Sequence, residues 1–229
     1  MKEPITRRHF LGQCGRGLAI CTSSALFPIL NKPHPACAAL VEKGLIGRKL
    51  SPYFTPLQDQ MIRCTLCPHG CEVGSGERGL CGVRQNIKGQ YYSLVYANPC
   101  AVHIDPIEKK PFYHVLPTSR SFSIATAGCN FDCKFCQNWE ISQVRPDETY
   151  NYRLPPDQVI SSALEYKSQA IASTYVEPVI FIEYMLEIGR LARSRPLLKV
   201  MHSNGFINEQ PLKDLCEVLD AACIDLKGF

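Results

Sequence analysis

Three features are missing from this 229-residue sequence, and each absence excludes a class of protein. No run of 18 apolar residues occurs, so we expect no membrane-spanning helix. Gly-X-Y repeats are absent and 45% of the residues are hydrophobic, which excludes a fibre and a disordered chain. Net charge is missing from residues 39–229: residues 1–38 hold five basic residues and one acidic residue, which leaves 20 of each sign for the remainder. The basic surface that nucleic acid requires is therefore not expected, and the net charge of +4 belongs to residues 1–38.

Cysteine, in contrast, is abundant. The chain has 13 cysteines, and an odd number argues against a closed set of disulfides. By position they fall into three in residues 1–38, four in residues 64–81, three in residues 129–136, and three others at Cys100, Cys216 and Cys223. Cys216 and Cys223 lie on the apolar faces of predicted elements, so we expect both in the core.

Residues 1–38 resemble a twin-arginine export signal. Arg7 and Arg8 are followed by Phe10 and Leu11, then by a weakly apolar run and small residues at the spacing a signal peptidase needs. The alternative is a disordered tail with a chance pair of arginines. Residues 39–60, with two prolines and little periodicity, are predicted to be a linker.

Residues 61–120 are predicted to form a small cysteine-rich module. Its cysteines, Cys64, Cys67, Cys71 and Cys81, are separated by two, three and nine residues. Four thiolates on one small module indicate a second metal site, and both structural zinc and an iron–sulfur cluster satisfy the pattern. A hairpin is predicted at 83–87 and 91–96, and residues 99–117 are predicted to be irregular because prolines interrupt them.

From residue 121 onward, strands and helices alternate, which predicts an α/β fold with a parallel sheet, open or closed into a barrel. The predicted strands are 121–127, 170–176, 198–202 and 221–226, and the predicted helices are 157–167, 179–193 and 210–219. The sequence ends directly after the fourth strand, which leaves apolar surface uncovered. We therefore expect a partial (β/α) barrel over 121–229 that is truncated at its C-terminus.

The strongest motif is Cys129-Asn-Phe-Asp-Cys133-Lys-Phe135-Cys136, just after the first of these strands. Three thiolates packed so closely repel one another unless they share a cation. Three ligands leave a tetrahedral zinc site incomplete, but they suit a [4Fe–4S] cluster with one iron free of protein ligands. A loop at the C-terminal ends of parallel strands is also where α/β proteins bind ligands.

Cys-x3-Cys-x-aromatic-Cys resembles the signature of radical S-adenosylmethionine (SAM) enzymes, with Phe135 as the aromatic residue. The resemblance implies a [4Fe–4S] cluster on Cys129, Cys133 and Cys136 whose free iron binds SAM. It also implies reductive cleavage of SAM to a 5′-deoxyadenosyl radical, which abstracts hydrogen from a substrate.

Further motifs are similar to elements of glycyl-radical activating enzymes. Tyr-Val-Glu177-Pro follows the second strand, and Ser203-Asn204-Gly and Asp225-Leu-Lys227 follow the next two. By this resemblance, Glu177 and Asp225 contact the methionine amino group of SAM and Lys227 its carboxylate. The resemblance also implies that Phe135, Ser203 and Asn204 belong to the SAM-binding site. One position departs, since His202 stands where pyruvate formate-lyase activators have aspartate. For Asn138 and Trp139, loop packing and a functional role both stay open.

Residues 60–229 most resemble the radical SAM enzyme of the AmmeMemoRadiSam system, a resemblance that includes the segment from His103 to Pro111. It implies a low-potential electron donor and a protein or small-molecule substrate, and in some activating enzymes a second cluster relays electrons. The alternatives are a non-catalytic iron–sulfur electron carrier and a zinc-binding interaction module. The leader points to the periplasm, whereas SAM and low-potential electrons are cytoplasmic, so a cytoplasmic location stays open.

Overall fold

The structure, a computed structural model, describes residues 40–227, so the predicted leader at 1–38 lies outside the described residues. The strands are β1 (Val41–Lys43), β2 (Lys49–Leu50), β3 (Phe54–Pro56), β4 (Ile62–Cys64), β5 (Glu72–Val73), β6 (Arg84–Ile87), β7 (Gln90–Ser93), β8 (Ala101–Pro106), β9 (Arg120–Ala125), β10 (Tyr150–Tyr152), β11 (Ala170–Ser173), β12 (Leu198–Ser203) and β13 (Ala221–Ile224). The α-helices are α1 (Trp139–Ser142), α2 (Pro156–Glu165), α3 (Ile182–Leu191) and α4 (Glu209–Cys216). Short 3₁₀ helices lie at Gln58–Gln60, Ile107–Lys109 and Pro178–Phe181.

A five-stranded sheet with the order β13-β12-β11-β9-β8 carries the C-terminal half of the chain. Strands β9, β11, β12 and β13 pair in parallel and in chain order, and α2, α3 and α4 lie in the connections between them. The predicted parallel α/β sheet is confirmed. Because the strands run the same way, their carboxyl ends meet along one edge, which is where the cysteine loop begins.

The helix predicted at 179–193 is confirmed, although its first turn is a 3₁₀ helix and α3 itself covers Ile182–Leu191. Ile180, Tyr184 and Ile188 are buried at helical spacing, while Leu191 at the C-terminal end is exposed. In α4, Leu215 is fully buried, whereas Leu212 is exposed. Among residues 40–227, no helix combines the length and the apolarity that crossing a bilayer takes.

Two segments predicted to be irregular contain strands. Residues 101–106 form β8, which pairs antiparallel with β9 along all six residues. As an edge strand it tolerates Pro106 at its end, which is why proline misled the prediction. The predicted boundary between residues 120 and 121 therefore falls inside β9, which pairs with β8 of the preceding segment. Residues 39–60, predicted to be a linker, contribute β1, β2 and β3 to small antiparallel sheets.

The hairpin predicted before residue 97 is confirmed as β6 and β7, which turn at Lys88-Gly89. Both turn residues have positive φ, 53° and 79°. Three predicted strands end earlier than expected, since β9 ends at Ala125, β11 at Ser173 and β13 at Ile224. The predicted core position of Cys216 is wrong, because it lies exposed at the end of α4; Cys223 is half-buried beside the small apolar cluster of the sheet.

A buried ion pair joins the N-terminal half to the parallel sheet. The guanidinium of Arg84 on β6 is fully buried and donates to both carboxylate oxygens of Glu183 on α3, at 2.9 and 2.5 Å. Arg84 also donates to Ser51 Oγ and to the carbonyl of Ile180. This fixes the cysteine-rich hairpin region against the helix that follows the second parallel strand.

Candidate functional site

The three cysteines of the loop after β9 line one cavity at the carboxyl edge of the sheet. The cavity has a volume of about 870 Å³, and Cys129, Cys133 and Cys136 form part of its wall. Gly128, directly before Cys129, has a φ of +86°, and a Cβ there would lie 2.5 Å from the carbonyl oxygen of Cys81. Glycine is therefore required for the loop to turn at this point.

Local hydrogen bonds hold the thiols of the loop. The amide of Phe131 donates to Cys129 Sγ at 3.4 Å, and Ser142 Oγ lies 3.2 Å from Cys136 Sγ. Burial raises the pKa of the Cys129 thiol. Within residues 40–227, no three His, Cys, Asp or Glu side chains stand ready to hold a single ion. Three thiols in the wall of one cavity are the ligands that would hold a [4Fe–4S] cluster with one iron left open to a further ligand.

Glu177 reaches the cavity wall but is almost fully buried, at 2% exposure. Its Oε1 accepts hydrogen bonds from Ser203 Oγ at 2.7 Å and from the amide of Val179 at 3.0 Å. Its Oε2 accepts from the amide of Asn204 at 2.7 Å. Burial raises the pKa of Glu177 against the opposing effect of these donors. The predicted strand-end residues Glu177, Ser203 and Asn204 therefore form one connected unit.

Asp225, Lys227 and His202 meet at the ends of β12 and β13. Lys227 Nζ forms an ion pair with Asp225, and His202 Nε2 lies 3.6 Å from the same carboxylate oxygen. Burial lowers the pKa of Lys227, but the hydrogen bond and the charge of Asp225 outweigh burial and raise it overall. Burial lowers the pKa of His202, so its neutral form is favoured. The structure thus places a carboxylate and an ammonium side by side in the cavity wall.

The aromatic and amide residues of the cysteine loop differ in their positions. Phe135 lines the cavity and is 72% exposed, and Trp139 is 61% exposed at the start of α1. Asn138 lies in the wall and donates from Nδ2 to the carbonyl of Tyr175 at 2.7 Å. Asn138 therefore ties the cysteine loop to the segment that leads into Glu177.

The sequence did not single out a buried polar cluster behind the cavity. Asp105 on β8 accepts from Lys110 Nζ at 2.6 Å and from the hydroxyl of Tyr175. Lys110 Nζ lies 3.9 Å above the Tyr175 ring, and His103 packs edge-on against that ring. Tyr175 has a φ of +67°, which is a strained backbone conformation. Asp105, which accepts from the Tyr175 hydroxyl, and Asn138, which donates to the Tyr175 carbonyl, hold the residue in this conformation. The one sequence signal for this cluster is the segment from His103 to Pro111, which contains both Asp105 and Lys110.

Comparison with known proteins agrees with this geometry. The family described as the Radical SAM superfamily matches residues 123–229, which contain the cysteine loop and all three strand-end motifs. Domains of this family use a [4Fe–4S] cluster and SAM.

Two similar proteins come from Methanocaldococcus jannaschii. The chain is 42% identical to uncharacterized protein MJ0808 over 176 residues, which is 77% of this chain and 52% of that protein. It is 39% identical to uncharacterized protein MJ0674 over 172 residues, which is 72% of this chain and 45% of that protein. The chain thus spans about half the length of these curated relatives.

Proposed function

We propose that residues 123–229, which match the Radical SAM superfamily, bind a [4Fe–4S] cluster through Cys129, Cys133 and Cys136 and SAM in the adjoining cavity. When both are bound, the cluster and SAM supply a 5′-deoxyadenosyl radical that abstracts hydrogen from a substrate. One observation carries the proposal: the three thiols and the polar groups of three strand ends line the same 870 Å³ cavity.

The strand-end residues have different roles in SAM binding. Asp225 and Lys227 match the two charges of the methionine group, so the amino group binds to Asp225 and the carboxylate to Lys227. The two carboxylate oxygens of Glu177 accept hydrogen bonds from Ser203, Asn204 and Val179. Glu177 therefore acts by fixing the loop after β12, and the exposed ring of Phe135 offers a surface beside the cofactor.

At a finer level, we propose an enzyme similar to glycyl-radical activators and to the radical enzyme of the AmmeMemoRadiSam system. The segment from His103 to Pro111 supports this, because His103 and Lys109 line the same cavity as the cysteines. The partners are then a low-potential electron donor and a protein or small-molecule substrate that reacts in the open part of the cavity.

A non-catalytic electron carrier is the competing function, and it would need no polar groups beside the cluster. The test is anaerobic reconstitution with iron and sulfide, followed by reduction in the presence of SAM. We expect 5′-deoxyadenosine by chromatography and a changed electron paramagnetic resonance spectrum on adding SAM. Cys133→Ser should abolish both, while Cys216→Ser, on the exposed end of α4, should retain both. If the cluster is intact, no 5′-deoxyadenosine forms and the electron paramagnetic resonance spectrum does not change on adding SAM, the protein is an electron carrier.

We also propose that residues 1–38 direct export of the folded protein by the twin-arginine route. That route carries proteins after cofactor assembly, which suits a chain that acquires its cluster in the cytoplasm. Cell fractionation tests this: a shortened periplasmic form that disappears in Arg7→Lys/Arg8→Lys supports export. A full-length cytoplasmic form alone contradicts it.

A further inference from the structure

The wall of the cofactor cavity continues past the cysteine loop onto β8. Ala101 and His103 of β8 and Lys109 of the 3₁₀ helix that follows line the same cavity as the three cysteines. Strand β8 is one edge of the five-stranded sheet, and β13, which leads to Asp225 and Lys227, is the other edge. Three strands therefore separate the proposed SAM contacts from the β8 side of the cavity, which is available to a second ligand.

Two ammonium groups on the β8 side share one carboxylate. Asp105 Oδ1 accepts a hydrogen bond from Lys109 Nζ at 2.9 Å, and Asp105 Oδ2 accepts from Lys110 Nζ at 2.6 Å. The hydroxyl of Tyr175 also donates to Asp105. Burial and the hydrogen bond to Asp105 raise the pKa of Tyr175, so the phenol stays neutral. The group formed by Asp105, Lys109 and Lys110 thus carries one more positive charge than negative charges.

The two lysines differ in access to the cavity. The side chain of Lys110 is 1% exposed and its Nζ lies 3.9 Å above the Tyr175 ring, whereas the side chain of Lys109 is 61% exposed. Burial lowers the pKa of Lys110, Asp105 only partly opposes this effect, and the charge of Lys109 adds to it. Lys110 and Tyr175 therefore hold Asp105 from the inside, and Lys109 is the cation that can turn to a ligand in the cavity.

Two further carboxylates lie near these lysines, and neither offsets the excess charge. Glu108 is engaged elsewhere, since its Oε1 accepts from the amide of Thr118 at 2.5 Å. Glu140 on α1 lines the cavity from the side of the cysteine loop, but it is exposed, so solvent screens its charge. The β8 side of the cavity therefore remains a site of local positive charge.

His103 adds a hydrogen-bond donor beside this charge. It is exposed on β8, and its ring packs edge-on against Tyr175 with 5.7 Å between the ring centroids. An imidazole N–H in the cavity wall can donate to an anionic oxygen. The segment that carries both lysines is itself anchored, because Ile107 and Phe112 are buried in one apolar cluster with residues of β11 and β12. The cationic groups are therefore positioned before any ligand arrives, which favours binding.

We propose that His103 and Lys109 form the substrate subsite of the cavity and bind a carboxylate group of the substrate. One excess positive charge matches the single charge of a carboxylate better than the nearly double charge of a phosphate monoester. The rest of the substrate then lies in the cavity between β8 and the cysteine loop. As a statement about the substrate this rests on the proposed function, whereas the anion site itself does not.

The subsite is tested with benzoate, and with benzamide as its uncharged counterpart, by ligand-observed nuclear magnetic resonance on the full chain. We expect benzoate to bind and benzamide to bind more weakly. Lys109→Met should weaken benzoate binding about fivefold, the size expected for a partly exposed charge contact, and Lys109→Arg should restore it. Lys213→Met, on the exposed face of α4, is the control and should leave binding unchanged. Equal binding of benzoate and benzamide, or unchanged benzoate binding in Lys109→Met, would overturn the subsite.

Lys227→Met separates this subsite from the proposed SAM site. Benzoate affinity should be the same in Lys227→Met as in the parent chain. If Lys227→Met loses benzoate binding and Lys109→Met keeps it, the anion occupies the SAM site and the proposal fails. Inorganic phosphate should displace benzoate poorly, and displacement at equal concentrations would overturn the choice of a carboxylate.

The reconstituted chain distinguishes failure of the subsite from failure of the proposed function. With iron, sulfide and SAM supplied, benzoate should bind together with SAM and remain sensitive to Lys109→Met. A chain that binds benzoate at Lys109 but binds no SAM would count against the proposed function and leave the anion subsite in place. A chain that binds SAM but no benzoate would overturn the subsite alone.

Discussion

The carboxylate of Glu177 accepts a hydrogen bond from the backbone amide of Asn204 at 2.7 Å, across the space between two parallel strand ends. Its other oxygen accepts from Ser203 Oγ and from the amide of Val179. A buried carboxylate with three donors holds the β12 loop and the start of the 3₁₀ turn at Pro178–Phe181 in one arrangement. The geometry of the cofactor cavity therefore depends on Glu177 even though its oxygens point inward.

Glu177→Ala should weaken SAM binding and destabilise the fold together. The change leaves buried donors unsatisfied, each at a cost of about 1–3 kcal/mol. Glu177→Gln should give a smaller effect, because its amide retains one acceptor oxygen. Calorimetric titration with SAM and urea unfolding measure the two effects. Glu140→Gln changes an exposed carboxylate in the same cavity wall, and as the control it should alter neither SAM affinity nor stability. If Glu177→Ala binds SAM as tightly as the parent chain does, the positioning role of Glu177 is refuted.

Lys227→Met should weaken SAM binding by about tenfold, or about 1.4 kcal/mol. The ammonium is the cation paired with Asp225 in the cavity wall, and both side chains are partly exposed, so solvent screening keeps the effect moderate. Titration of the reconstituted protein with SAM measures it. Lys213→Met removes an ammonium from an exposed pair with Glu209 on α4 and should leave the affinity unchanged. A Lys227 variant that binds SAM as the parent does would exclude the carboxylate contact.

Glu183→Gln should lower the free energy of unfolding by about 3–5 kcal/mol, because it leaves the Arg84 guanidinium buried without its counter-charge. The double change Arg84→Met/Glu183→Leu should recover much of this loss, since it removes both charges. Urea unfolding measures both variants. Glu187→Gln, one turn along α3 in an exposed pair with Lys49, is the matched control, with an expected change within about 1 kcal/mol. A Glu183 variant as stable as this control would show that the pair contributes little.

The sequence could predict those parts of the site that lie in short continuous motifs at strand ends. Cys129, Glu177 and Asp225 each follow a parallel strand, so the topology alone brings them to one edge of the sheet. The pairing of Asp105 with Tyr175 could not be predicted, because it joins residues 70 apart through an edge strand that prolines conceal. The end of β11 was also hard to place, since burial continues past Ser173 into the following loop, at Thr174 and Val176.

Asp105 gives the fold a specific dependence on pH. Burial raises the pKa of Asp105, but hydrogen bonds from Lys110, Tyr175 and Lys109 outweigh burial and lower it well below its ordinary value of 3.8. A carboxylate whose pKa is lowered in the folded state stabilises the fold fully at pH values above its unfolded-state pKa. This stabilisation is lost as the pH falls from the unfolded-state pKa toward the lower folded-state pKa. The parent chain should therefore lose stability from about pH 4 downward as the unfolded state takes up this proton first.

Asp105→Asn should be less stable at pH 7, because the buried Lys110 loses the carboxylate that offsets the burial of its ammonium. It should also lose less stability between pH 5 and pH 3, because the titrating group is gone. Urea unfolding at a series of pH values measures both effects. Asp147→Asn removes a more exposed partner of Arg78 and should leave most of the acid-dependent loss in place. If the parent and Asp105→Asn lose the same free energy over that range, the acid dependence arises elsewhere, and Asp105 only positions Tyr175.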